Sequence, residues 1–199
     1  MRRFKASLFI DGTNLYAAQY ELFGPKKYLN FAKLIEEIEK KIRVKFDKIY
    51  FYASYSSTPK KPTEKQKLYL KNEALFYKSV KQTPSTVFFK GYRSKTSGKE
   101  KEVDVKLAVD IVDFAHRGKF SSMYLFSGDA DFLQALFAIR SLGKKIFVIS
   151  LQNKVLYRAA FFFLTYMVIF KKPVKIKFLR FQKKAFIQIE EKEVVEEVK

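Results

Sequence analysis

The chain has 199 residues, 48 % of them hydrophobic and 30 % charged, which is enough for one ordinary domain with a sizeable core and too apolar for a disordered chain. It has no cysteine and one histidine, His116, which removes disulfides, thiolate metal sites and cysteine nucleophiles and argues against serine–histidine–aspartate triads and multi-histidine zinc sites. The net charge is +20; the last ten residues hold five Glu and two Lys, leaving 38 basic against 15 acidic side chains, or +23, in the body.

Any chemistry therefore falls to carboxylates, and the basic body favours a polyanionic partner through phosphate contacts and counterion release. Tyrosines and phenylalanines interleaved with the lysines offer surfaces on which unpaired bases can stack, although most of the 22 Phe must be core.

In chain order, the basic start "MRRFKASLFI" carries an apolar run of only about four residues before Asp11, too short for a signal peptide, so the protein is expected in the cytoplasm. Residues 5–10 read as a strand that ends on Asp11 and a tight turn through Gly12, Thr13 and Asn14. A helix is expected over 31–42, with Phe31, Leu34, Ile35, Ile38 and Ile42 on one stripe behind the cap Asn30. Residues 47–53 follow as a strand, and then a helix from about Pro62 to Val80, with Pro62 at a start position and Leu68, Leu75 and Phe76 facing inward.

A strand at 86–90 leads into "KGYRSKTSGKEK", Lys90 to Lys101, a loop rich in Lys, Arg, Ser and Gly. A helix over about 102–117 aligns Val103, Leu107, Ile111 and Phe114, and a strand at 122–127 gives way at Ser127-Gly128-Asp129 to a helix that stops at Gly143. Residues 145–150 are the fifth strand candidate. The apolar run Ala159 to Phe170 falls short of the roughly 20 residues that span a bilayer and is bracketed by Arg158 and Lys171, so no membrane partner is expected. That run suits either core completion or a homodimer interface. Residues 171–190 alternate as a small basic β-hairpin extension, and 191–199 form a charged tail.

Strands alternating with helices imply an α/β fold with a mostly parallel sheet covered on both faces. Ligands of such sheets bind beyond the carboxyl ends of the strands, near the switch in strand order. Asp11 and Asp129 both follow strands, so both should face one crevice. Asp104 stands in the opening turn of its helix, and Asp131 lies two residues beyond Asp129. Carboxylates gathered from three segments at one sheet edge repel unless a hard cation such as Mg²⁺ or Mn²⁺ neutralises them, an arrangement suited to phosphodiester hydrolysis.

Taken singly, these acids have simpler explanations: Asp129 as a helix cap, Asp104 as a complement to a helix dipole. Asp110 and Asp113 stand at helical spacing from Lys106 and Arg117, the pattern of a solvated ion-pair stripe, and His116 reads as structural or surface.

The trio "FIDGTNLY", "KEVDVKLAVDIV" and "LFSGDADFLQAL", in that order, resembles the NYN domains, a PIN-like ribonuclease family that includes the LabA-like proteins. The resemblance covers about residues 5–150. It implies a Rossmann-like three-layer α/β/α domain, here expected over residues 1–170, whose clustered aspartates bind Mg²⁺ or Mn²⁺ and cleave single-stranded RNA. By position, the catalytic and metal-holding acids are Asp11, Asp104, Asp129 and Asp131, with Asn14 and Ser127 in support and Gly128 shaping the turn. Asp110 also matches an acid of the second motif. Arg93, Lys95, Lys99 and Lys101, on the loop leading into Asp104, are the expected substrate-binding residues.

Two positions depart from the family pattern: Glu102 replaces a common Gly, and Ala160 stands where an acid is usual. A phosphatase of the haloacid dehalogenase type would share "IDGT" but needs a nucleophilic carboxylate at the position of Phe9. The remaining alternative is a non-catalytic RNA-binding or scaffold protein that keeps the fold.

Overall fold

A computed structural model describes residues 5–23, 29–93, 100–127, 129–151 and 176–181. The first strand, β1 (Ala6–Asp11), is buried along its whole length, as its unbroken apolar run requires of a strand covered on both faces. Helix α1 (Gly12–Phe23) starts at the next residue. The expected turn at Gly12-Thr13-Asn14 is thus the first turn of a helix, held to the sheet by buried Leu15, Tyr16 and Ala18.

Helix α2 (Phe31–Ile42) has its expected bounds, and the Asn30 side chain accepts the Lys33 N–H at 3.1 Å. Strand β2 (Lys48–Ala53) follows, and then α3 (Glu64–Gln82). Pro62 stands outside that helix, because Thr63 takes the cap in a reciprocal capping box with Gln66. Next come β3 (Thr86–Lys90) and a short antiparallel ladder of β4 (Tyr92–Arg93) with β5 (Glu100–Lys101), which ties together the ends of the Lys90–Lys101 loop. The chain continues through α4 (Val103–His116) and β6 (Ser122–Phe126). A 3-10 turn at Ala130–Phe132 precedes α5 (Leu133–Ser141), which stops at Gly143 with φ +70°. Strands β7 (Lys145–Leu151) and β8 (Ile176–Phe181) are the last described elements.

The six long strands pair in the order β3-β2-β1-β6-β7-β8, all parallel. Residues 176–181 of the expected hairpin are the sixth strand of this sheet. The rest of 171–190, the helix expected after residue 150 with Ala160, and the tail 191–199 lie outside the described residues.

Alternation along β1 sends Leu8 and Ile10 to one face, where they pack with Leu15, Phe31, Leu34, Phe76 and Tyr77. Phe9 goes to the other face and joins Val103, Leu107, Ile111 and Leu136 of α4 and α5. Each sheet face therefore has its own apolar layer, α1 to α3 on one and α4 with α5 on the other, which is the three-layer α/β/α architecture. Among the described residues, no helix is long and apolar enough to cross a membrane.

Candidate active site

The strand order reverses between β1 and β6, the adjacent pair at the centre of the sheet. The first connections step from β1 through β2 to β3, and the later ones return to β6 and go on to β7. Loops leaving the carboxyl ends of β1 and β6 therefore diverge to opposite faces and open a crevice between them. Asp11 ends β1, and Ser127 and Asp129 follow β6 directly.

Asp11 is 1 % exposed and is held by neutral donors. Its Oδ1 accepts the backbone N–H of Asn14 at 3.0 Å, and its Oδ2 accepts the Asn14 side-chain amide together with the Ser127 hydroxyl at 3.2 Å. Ser127 in turn accepts the Asp129 N–H at 3.1 Å, and Asp129 Oδ1 accepts the Asp131 N–H at 3.0 Å. One continuous set of hydrogen bonds thus runs from the end of β1 to the start of the 3-10 turn, and it fixes Asn14, Ser127 and Asp129 around Asp11. Asp129 caps only the 3-10 turn, not α5, whose cap position is Phe132, and it also stands beside Asp11.

Burial pushes the Asp11 carboxyl up to about 7, and the negative charges of Asp104 and Asp129 push the same way, against the Asn14 hydrogen bonds. Three of the four expected acids are therefore electrostatically coupled. Asp131 is exposed at the rim, one hydrogen bond further out.

Gly12 lets the chain pass at this point. A Cβ built on it would overlap the Phe51 ring, so glycine lets α1 leave directly behind Asp11 without displacing that ring. Asp104 is exposed in the first turn of α4. The residue before that helix, Glu102, has φ +74°, a left-handed conformation that explains why glycine is common there in the family the motifs resemble. Phe9 is wholly buried against Tyr50, Phe114 and Phe120, a core ring where the phosphatase would place its nucleophile.

Asp110 corrects the expected solvated stripe. Asp113 does pair with Arg117 at the surface, at 2.8 Å. Asp110, however, is 7 % exposed; it takes the Lys106 ammonium on one oxygen and the Tyr52 hydroxyl at 2.8 Å on the other. Burial and that hydrogen bond hold the Tyr52 hydroxyl above its usual range. Glu73 is a second buried acid that sequence pattern misses. Its two oxygens receive the Ser56 N–H at 2.9 Å and the Ser56 hydroxyl at 2.7 Å, which pins the loop after β2. Its only sequence signal is its place beside Phe76 and Tyr77 on the buried stripe of α3. His116 is exposed at the far end of α4.

Of the expected substrate-binding residues, Arg93 and Lys101 contribute backbone to the β4–β5 ladder, where Lys101 pairs with Tyr92. Their side chains, and the whole of Lys95 and Lys99, lie outside the described residues.

Among the described residues, no three acidic or histidine side chains converge closely enough to hold a metal ion as they stand. The donor chemistry nevertheless fits a hard divalent cation. A buried carboxylate that resists ionisation beside two other acids gains most from a cation that neutralises all three.

A family model described as NYN domain matches residues 5–165 of the chain. No curated protein and no solved structure matches it.

Proposed function

The chain belongs to the NYN domain family, a PIN-like, nuclease-type family, and from that premise we propose that it is a metal-dependent ribonuclease acting on single-stranded RNA. One observation carries the reading: Asp11, buried at the switch point of the sheet, is held by neutral donors and crowded by Asp104 and Asp129. A structural aspartate at that depth is normally given a cation. This one is given two more acids.

Asp11, Asp104, Asp129 and Asp131 would hold Mg²⁺ or Mn²⁺, with Asp11 as the fixed corner and the exposed pair, Asp104 and Asp131, closing from α4 and from the 3-10 turn. When bound, the ion supplies an activated water and offsets the charge that develops on the phosphate. Asn14 and Ser127 keep the Asp11 carboxylate oriented, and burial in the crevice limits competing water around it. The basic side chains of the body hold the RNA backbone against the crevice.

The test is cleavage of a labelled single-stranded RNA by purified protein with Mg²⁺ or Mn²⁺, and in excess EDTA. Asp11→Asn and Asp129→Asn should each abolish cleavage while leaving the circular dichroism spectrum and metal-free RNA binding intact. Undiminished cleavage by either variant, or cleavage in EDTA, would sink the proposal.

A second reading, an RNA-binding protein without catalysis, is favoured by the spread of the acids. It predicts RNA binding but no cleavage with either metal, and no change in melting temperature on adding Mn²⁺.

A further inference from the structure

Lys81, at the end of α3, and Lys90, at the end of β3, are both exposed, and both reach Tyr55 in the loop after β2. The Lys81 ammonium donates to the Tyr55 hydroxyl at 3.1 Å and lies 4.8 Å from the centre of the Phe88 ring. The Lys90 ammonium lies 5.4 Å from the centre of the Tyr55 ring. Neither lysine is in an ion pair with a carboxylate among the described residues. Two like charges held around one aromatic ring repel, and an anion placed between them removes that repulsion.

Just beyond Lys90, the Gly91 N–H continues the sheet ladder to Ala53 O at 2.9 Å, and Tyr92 then stands out with 57 % of its surface exposed. An exposed tyrosine held in a strand ladder two residues from Lys90 is what a stacking platform for an unpaired base requires.

The position of this patch links it to the crevice. Asp11, Tyr52 and Phe89 are in register across β1, β2 and β3. Lys90 follows Phe89 and so lies two strand spacings, about 10 Å, from Asp11 at the same end of the sheet. It stands on the α3 face where Phe88 and Tyr55 pack, so an RNA strand reaching both Lys90 and Asp11 crosses the sheet's carboxyl edge. That span fits within the footprint of about 4 or more nucleotides that single-strand grooves accommodate.

We propose that Tyr55, Lys81, Lys90 and Tyr92 form a docking surface for single-stranded RNA, with backbone phosphates at Lys81 and Lys90 and an unpaired base on Tyr92. The inference rests on the nuclease reading for its substrate. It is tested by binding alone, so that the two can fail separately. Fluorescence anisotropy in EDTA measures affinity for a labelled single-stranded RNA and for a blunt RNA duplex over a range of salt.

Lys81→Gln with Lys90→Gln should weaken single-strand binding about tenfold and reduce the salt slope by about 1.4, the value for two lost phosphate contacts. Tyr92→Leu should weaken single-strand binding about tenfold and leave duplex binding unchanged. The control, Lys5→Gln with Lys48→Gln, removes the same charge at the starts of β1 and β2, away from Tyr55 and Tyr92, and should have little effect. Equal weakening by the two lysine pairs would overturn the proposal, as would an unchanged salt slope in the Lys81/Lys90 variant, or equal loss on duplex and single strand for Tyr92→Leu. If binding follows these expectations but no metal supports cleavage, the nuclease reading fails and the docking surface stands.

Discussion

Asp11 at the end of β1 and Asp110 in the middle of α4 are buried to similar depth, at 1 % and 7 % exposure, against the same face of the sheet. Their surroundings differ in kind. Asp110 receives a lysine ammonium and a tyrosine hydroxyl, so its charge is matched within the fold. Asp11 receives an amide, a hydroxyl and a backbone N–H, and its charged neighbours are Asp104 and Asp129. Burial of a carboxylate is tolerable when a cation accompanies it and unfavourable when other acids do. Asp110 thus fastens α4 to β2, whereas Asp11 is a position the fold supports at a cost in stability.

The largest test of this contrast removes the Asp11 charge. The folded-state pKa of about 7 lies above the ordinary value of 3.8, so the folded state keeps its proton more tightly than the unfolded chain. The stability from this group is fully present below 3.8 and is lost as pH rises through about 7. Asp11→Asn should accordingly abolish cleavage yet raise stability at pH 8 in EDTA by on the order of 2–4 kcal/mol, since the amide buries no charge but sets one N–H donor among the Asn14 and Ser127 donors. The gap between the variant and the parent, followed by urea denaturation, should shrink towards zero as pH falls to 4. A gap that stays constant with pH would mean that Asp11 is not buried as a strained acid. Added Mn²⁺ should stabilise the parent and not the variant.

Next in size is the backbone passage that sets Asp11 in place. Gly12→Ala puts a methyl group inside the Phe51 ring, which Phe31, Phe76 and Phe88 surround, so the ring has little room to turn. A loss of about 1–3 kcal/mol is expected from overpacking, and Phe51→Leu in the same chain should recover part of it. If the double variant is no better than the single one, the close approach is not what selects glycine.

The other half of the contrast can be broken by making Asp110 resemble Asp11. Lys106→Met keeps the length of the side chain and removes the cation, leaving Asp110 with the Tyr52 hydroxyl alone. The lysine side chain is 42 % exposed, so solvent already screens the pair, and the loss should be about 1–2 kcal/mol. Its signature is the coupling to Asp110: the loss should be larger in the parent than in an Asp110→Asn background. An equal loss in both would assign Lys106 a packing role only.

The features that could be read from the chain alone are those whose cause is local. Asp11 with Asn14, and Ser127 with Asp129 and Asp131, sit within three or four residues of one another at strand ends, and their hydrogen bonds run between near neighbours. The cap of α2 and the stop at Gly143 are equally short-range. Helix α1 was hidden because it begins without a separate turn and because Ala17, Ala18 and Gln19 give it a weak apolar stripe. The burial of Asp110 was hidden for another reason: its partner Tyr52 is 58 residues away, and only the packing of α4 on β2 brings them together. The pairing of Lys106 with Asp110 was legible from helical spacing, but the depth of the pair was not.

The smallest effect concerns Glu102, which turns the chain from β5 into α4 immediately before Asp104. With φ +74° it holds a conformation in which a side chain crowds its own backbone, at a cost of about 1–2 kcal/mol. Glycine adopts it freely but also gains entropy in the unfolded chain, by about 0.5–1 kcal/mol, so Glu102→Gly should stabilise by no more than about 1.5 kcal/mol. Glu102 is exposed, and its side chain makes no cap hydrogen bond to α4, so little else is lost. The substitution also removes a negative charge two residues from Asp104. Metal-dependent cleavage should then be unchanged at saturating Mn²⁺, with at most a modest rise in the metal concentration needed for half-maximal rate. A large fall in activity would place Glu102 among the acids that hold the metal and shift the uncompensated charge from β1 toward the start of α4.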